Sequence, residues 1–155
     1  MSSEADKAYV AGLTMLSRRE LSERQLRERL ARREYHEDAI QSAIVRLKQE
    51  RALDDARVAG ALARLEVLTK RHGRLRAQRQ LEHKGISPST ARDALDGVFG
   101  GIDQDALLEA ALARRLRGER PIEDDAEFRR LYRFLTGQGF ESDRILRTLK
   151  ARRSR

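Results

Sequence analysis

The stretch LRERLARREYHEDAIQSAI, residues 26–44, decides the fold. Its apolar residues Leu26, Leu30, Tyr35, Ile40 and Ile44 are spaced 4, 5, 5 and 4 apart. Residues four apart share one face of a helix, at about 100° per residue, and the central residue breaks that period. The stretch therefore reads as helix, corner, helix, with Tyr35 plugging the angle. The same spacing returns in Ala77, Leu81, Ile86, Ala91 and Leu95, and again in Leu131, Leu135, Phe140, Ile145 and Leu149, the copies lying 51 and then 54 residues apart. Self-similarity at such a period marks a tandem array of small helical units.

A further helix precedes each pair. Tyr9, Val10, Leu13 and Leu16 have helical spacing over Lys7–Arg19. Ser22 with Gln25 forms the two halves of a capping box opening a helix over Glu23–Arg33, and Asp38–Glu50 follows. Asp54 is placed to cap a long helix reaching about Lys70, with Val58, Leu62, Leu65 and Leu68 as its buried stripe and Gly73 as its left-handed stop. Arg74–Lys84 is the next helix. Ser87-Pro88 restarts the chain as N-cap and first helical position, and that helix fades by Gly97. Asp103 caps a helix burying Leu107, Leu108, Ala111 and Leu112, and a connector runs from Gly118 to Pro121. Glu123–Thr136 stops at Gly137-Gln138-Gly139, and the last helix trails into Arg155. The fold expected is all-α: three tandem three-helix, helix-turn-helix-like repeats over residues 7–50, 53–99 and 103–151, elongated and somewhat curved. Gly100-Gly101 is the expected hinge, with little apolar cover.

Composition agrees with that class. The 155 residues include only two prolines, with 39 % apolar and 37 % charged side chains, which is polar for the length. The absence of cysteine excludes disulfides and thiolate metal sites. No apolar run approaches the roughly 18 residues that span a bilayer, and the first residues do not begin a secretory signal, so a cytoplasmic, monomeric protein without membrane attachment is expected. The net charge of +8 calls for an anionic partner. Residues 1–50 contribute +1, residues 51–102 +4 and residues 103–155 +3, which places the excess in the second and third repeats. Of the 33 basic residues 28 are arginine, a bias that genome composition also produces.

The local phrases and their order resemble the bacterial RecX regulatory family. They are Leu53-Asp54-Asp55 opening the second repeat, Gly73 before a basic helix, Lys84-Gly85-Ile86 closing it, Gly139-Phe140 at the corresponding place in the third repeat, and Tyr9-Val10 through Leu30 in the first. The resemblance covers about Lys7 to Leu149; Val58 departs from it, standing where the family often has an aromatic residue. It implies a negative modulator of the RecA recombinase. Such a protein lies in the groove of the RecA–DNA filament, contacts successive subunits, and lowers recombinase, ATPase and coprotease activity. That role belongs to DNA recombination, repair and the SOS response. The resemblance also implies that some members bind DNA directly.

The residues themselves point to docking rather than chemistry. Lys70, Arg71, Arg74, Arg76, Arg79 and Lys84, with His83, fall in a run holding Glu82 as its one acid, and Arg129, Arg130 and Arg133 repeat the pattern opposite Leu131, Leu135 and Phe128. Arginine on a rigid helix suits bidentate pairing with carboxylate or phosphate, although a charged helix face is ordinarily just solvated. In the first repeat Glu23 and Glu28 alternate with Arg24, Arg27 and Arg29, which reads as internally paired. Phe128, Tyr132, Phe134 and Phe140 read as core of the last repeat, with an exposed Tyr132 able to anchor a partner. His36, His72 and His83 lack metal-ligand spacing, and Asp54-Asp55 and Asp124-Asp125 are helix-start acids. No catalytic residue, metal or cofactor is expected. Three readings follow: a filament-binding regulator; a DNA-binding protein acting without RecA through its helix-turn-helix-like repeats, holding DNA largely by phosphates; and a helical adaptor for another acidic protein.

Overall fold

The computed structural model describes residues 2–153. Those residues form nine α-helices and no strand: α1 Glu4–Arg18, α2 Glu23–Arg32, α3 Glu37–Gln49, α4 Asp55–Arg64, α5 Arg74–His83, α6 Pro88–Phe99, α7 Gln104–Leu116, α8 Asp125–Gln138 and α9 Ser142–Arg153. Three main cores follow the three units, the first with a small satellite of Ala8, Ala39 and Ala43. Leu21, Leu26, Leu30, Ile40, Ile44 and Leu47 lie in the first, Ala59, Ala63, Ala77, Leu81, Ala91 and Leu95 in the second, and Leu108, Leu112, Leu131, Leu135, Ile145 and Leu149 in the third. The corner residues take equivalent places. Ile86 and Phe140 are buried, and the half-buried Tyr35 packs on the first core. The surface of 9534 Å² exceeds by about a fifth the roughly 8,000 Å² of a compact globule of 17.8 kDa, as three small cores in series require.

The helix starts follow local chemistry. Ser22 and Gln25 form the capping box, and Asp54, Ser87, Asp103 and Asp124 each accept an N–H of the helix they open. Two boundaries differ from the sequence reading. α6 passes through Gly97 to Phe99. α4 passes into a π-helical turn over Leu65–Thr69, where the Lys70 N–H reaches the Leu65 carbonyl at 2.9 Å. The wider turn rotates the stripe, so that Glu66 and Val67 are buried while Leu65 and Leu68 face out. Its cause is Glu66. The buried carboxylate needs partners and takes His72 Nδ1 at 2.5 Å and Lys70 Nζ at 3.3 Å. Arg71, at φ 58, makes the left-handed exit. Gly73 is no stop; it sits extended at φ −72 as the N-cap of α5.

The repeats meet end to end through their middle helices. At the first joint the end of α5 lies on the start of α2. The Ser22 hydroxyl donates to the Lys84 carbonyl at 2.6 Å, Arg24 donates to the His83 carbonyl, and Asp55 accepts the Glu23 N–H at 2.8 Å. Burial pushes the Asp55 carboxyl up, against the pull of that N–H. At the second joint the end of α8 lies on the start of α5. The Gly73 N–H donates to the Gln138 carbonyl at 2.8 Å and the Leu75 N–H to the Gly139 carbonyl at 3.0 Å, and Arg76 reaches the Gly137 carbonyl at 3.2 Å. Among the described residues no side chain caps α5. Its orphan N–H groups are satisfied instead by carbonyls that α8 leaves orphaned, and opposite ends of two helix dipoles meet. Gly100 and Gly101 are exposed, but apolar cover at this joint is not thin, because Leu107 packs on both the second and third cores.

Candidate functional site

The joints sort the basic residues of the second repeat. Arg76 belongs to the second joint. Arg74 is folded back onto its own repeat, paired with Asp96, donating to the Arg92 carbonyl at 3.4 Å and lying 5.8 Å from the Phe99 ring. Lys70 is held by Glu66. The acids that compensate this run come from outside it, at Glu66 and Asp96, which a count within 70–84 does not see. Arg71, Arg79 and Lys84 remain exposed and without an acid partner among the described residues. Lys84 joins the first joint only through its backbone carbonyl.

In the third repeat Arg129, Arg130 and Arg133 are all exposed; Arg130 helps to lower the nearby Glu127 carboxyl, while Arg129 and Arg133 have no acid partner among the described residues. Arg129 and Arg133 line one side of a cavity of about 310 Å³ whose floor is Phe128, Tyr132 and Leu146. Tyr132 is half-buried, its hydroxyl 2.7 Å from Ser142 Oγ. Arg133 occupies the same repeat position as Arg79, 54 residues on. One exposed arginine thus recurs at an equivalent place in the second and third units, whereas the first has Glu28 there, paired with Arg24.

The first repeat is more basic on one side than its sequence implied. Arg18, Arg19, Arg29, Arg32 and Arg33 surround a cavity of about 300 Å³ with Met15. The ion pairs of this repeat lie elsewhere, at Arg27–Glu23, Lys48–Glu23, Arg24–Glu28 and Arg46–Glu50. Burial of Glu23 opposes its ionisation, yet its hydrogen bonds to Lys48 and Arg27 hold its carboxyl below the ordinary range. None of the five clustered arginines has an acid partner among the described residues. The net +1 averaged a paired face with an unpaired one. The doublets Arg18-Arg19 and Arg32-Arg33, each ending a helix beside the same cavity, were the available signal.

Among the described residues no group of three or more His, Asp or Glu is placed to hold a metal ion, and no helix is long and apolar enough to cross a membrane. The arrangement is a helical tandem-repeat protein presenting separate cationic faces. Family profiles described as the first and second three-helix domains of RecX match residues 8–47 and 54–95. The chain is similar to the regulatory protein RecX of Syntrophotalea carbinolica, 32 % identical over 136 residues, with 87 % of this chain and 89 % of the relative covered. It is also similar to the regulatory protein RecX of Acidithiobacillus ferrooxidans, 31 % identical over 156 residues, with 100 % and 97 % covered. The crystal structure of RecX from Lactobacillus salivarius has the same fold, with a TM-score of 0.76 at 23 % identity over 96 % of this chain and 97 % of that one. The chain belongs to the RecX family of regulatory proteins.

Proposed function

We propose that this chain regulates the RecA recombinase by lying in the groove of the RecA–DNA filament, where it lowers ATPase, recombinase and coprotease activity without making or breaking bonds itself. The carrying observation is the recurrence of unpaired arginines on three units joined at fixed ends. They are Arg29 and Arg32 on α2 with Arg33 at its C-cap, Arg79 on α5, and Arg129 and Arg133 on α8. A periodic ligand suits a periodic protein, because weak contacts to successive subunits add through effective concentration. Family membership supports the regulatory role. Arg71, Lys84 and Arg79 are the second repeat's contribution; Arg74, Arg76 and Lys70 act by holding the scaffold.

The test is a titration of DNA-dependent ATP hydrolysis by RecA at two salt concentrations. Inhibition at substoichiometric protein is expected, weaker at the higher salt. A folded Arg79→Glu, Arg133→Glu double variant should inhibit about thirtyfold less well, each reversal costing on the order of 1 kcal/mol of binding. Full inhibition by that variant would remove these faces from the reading. No inhibition by the parent at excess would overturn it. The five-arginine cluster favours a second reading, direct DNA binding through phosphates. It predicts a gel shift in the absence of RecA that survives physiological salt, and loss of the shift in Arg29→Glu, Arg32→Glu.

A further inference from the structure

We infer that the third repeat carries a docking slot for an acidic peptide segment bearing one large apolar side chain. The three repeats are each other's controls. Phe128, Tyr132 and Leu146 stand where the second repeat has Arg74, Gln78 and Arg92 and the first has Glu23, Arg27 and Gln41. In the first two repeats these positions bond to their own surroundings. Arg27 holds Glu23 at 3.1 Å and Gln41 at 2.6 Å, Arg74 reaches the Arg92 carbonyl, and Gln78 reaches the Pro88 carbonyl at 3.1 Å. The third repeat keeps one such bond, between Tyr132 and Ser142, but sets two rings and a leucine where the others have charged or amide side chains, and an apolar cavity lies between α8 and α9. Leu146 lies outside the third core, so the core does not account for it.

The rim decides the occupant. Arg129 and Arg133 stand exposed at its edge with no acid partner among the described residues, so the slot is apolar inside and cationic outside. An aliphatic or aromatic side chain fills such a space while neighbouring carboxylates pair with the guanidinium groups. A nucleic-acid base fits poorly. The one polar group on the floor, the Tyr132 hydroxyl, is committed to Ser142, and the polar edges of a buried base would lose their hydrogen bonds. The inference does not rest on the filament reading, and its test contains no recombinase.

The test uses the full chain and a fluorescein-labelled octapeptide of seven acidic residues and one central phenylalanine, followed by anisotropy at physiological salt, with a serine-for-phenylalanine peptide and oligothymidylate as comparators. Saturable binding is expected. Loss of about tenfold to a hundredfold is expected for the serine peptide and for Leu146→Asp, the value of burying one large apolar side chain. Arg133→Glu should lose binding while thermal unfolding stays unchanged. If Leu146→Asp lowers the unfolding temperature, Leu146→Ser provides the same comparison. Equal affinity for the serine peptide would reduce the slot to a charged surface and overturn the proposal. So would displacement by stoichiometric oligothymidylate, or binding of neither peptide.

Discussion

The two joints set the same pair of helix ends against each other by different means. Between the first and second repeats the contact is made largely by side chains. Ser22 and Arg24 donate to the carbonyls at the end of α5, and Gly85, at φ 99, gives way beneath them, since a Cβ there would lie 2.6 Å from Ser22 Oγ. Between the second and third repeats the contact is backbone on backbone. Gly73 faces Gly139, a Cβ on Gly73 would lie 2.5 Å from the Gly139 carbonyl carbon, and one on Gly139 would lie 2.5 Å from the Arg76 nitrogen. Ser22 and Gly73 occupy the same repeat position, as do Gly85 and Gly139. The chain thus built one interface twice. A hydroxyl made it adaptable in one place, and removal of side chains made it close-fitting in the other.

The largest effect should come from Gly139→Ala. It combines the strain of an L-residue at φ 99 with overpacking against backbone that has nowhere to move, together about 2–5 kcal/mol. In an array whose units couple only to neighbours, that loss should uncouple the third repeat. Urea unfolding followed by near-ultraviolet and far-ultraviolet signals should then show two transitions where the parent shows one. A single unshifted transition would mean the joint carries no coupling. Gly73→Ala is next, at about 1–3 kcal/mol from close approach alone, because its φ of −72 suits any residue. Its effect separates crowding from backbone strain.

At the first joint Ser22→Ala removes both a helix cap and a donor to the Lys84 carbonyl, and a loss of about 1–2 kcal/mol is expected by chemical denaturation. Unlike Gly139→Ala it leaves no clash, so the units should still unfold together. Splitting of the transition by Ser22→Ala would show that the side-chain joint is the weaker of the two.

These differences mark what could be read from the residues alone. The capping box of Ser22 and Gln25 was legible because both halves lie within one turn, and the apolar spacing gave the three units because the period is local. Gly73 was misread as a helix stop. Its residue type reports that a side chain is excluded, but the excluding group is the backbone of Gly139, 66 residues away. Leu65 and Leu68 were assigned to the core because hydrophobic periodicity assumes a regular helix, whereas this one widens into a π-helical turn over Leu65–Thr69. The arginine face of the first repeat was hidden by a net charge near zero. Arg76 looked free for a partner because its acceptor, the Gly137 carbonyl, is a backbone group that no sequence pattern distinguishes.

A third member of the comparison is the position equivalent to Ser22 and Gly73 in the last repeat, which is Glu127. Among the described residues no helix end docks there. The Arg120 guanidinium grips the carboxylate at 3.0 and 2.6 Å, and the Glu123 N–H adds a bond at 3.1 Å. Arg120 first, then that N–H, hold the Glu127 carboxyl at about 2, well below its ordinary 4.5. A depressed carboxylate contributes stability that is complete above its unfolded value and is lost as pH falls through the folded one. Acid should therefore loosen this end progressively from about pH 4.5 toward about pH 2. Glu127→Gln should be less stable than the parent at neutral pH and show a shallower acid loss, measured by urea midpoints across that range. Identical acid slopes would sever the link between this pair and the helix start.

The smallest effect tests why glycine stands at 85 and 139 at all. Glu34 holds the equivalent position in the first repeat at φ 66, exposed, with no helix end packed upon it among the described residues. Arg51, Arg71 and Arg117 are left-handed too, so positive φ alone does not demand glycine in this chain. What distinguishes 85 and 139 is a neighbouring helix start within reach of a Cβ. Glu34→Gly relieves roughly 1 kcal/mol of left-handed strain and returns part of it as unfolded-chain entropy. A net gain of a few tenths of a kcal/mol is expected, read as a small rise in the urea midpoint. A loss instead would mean that the Glu34 side chain supports the open end of α2, and a gain above about 1 kcal/mol would mean that glycine at 85 and 139 answers to backbone angle rather than to docking.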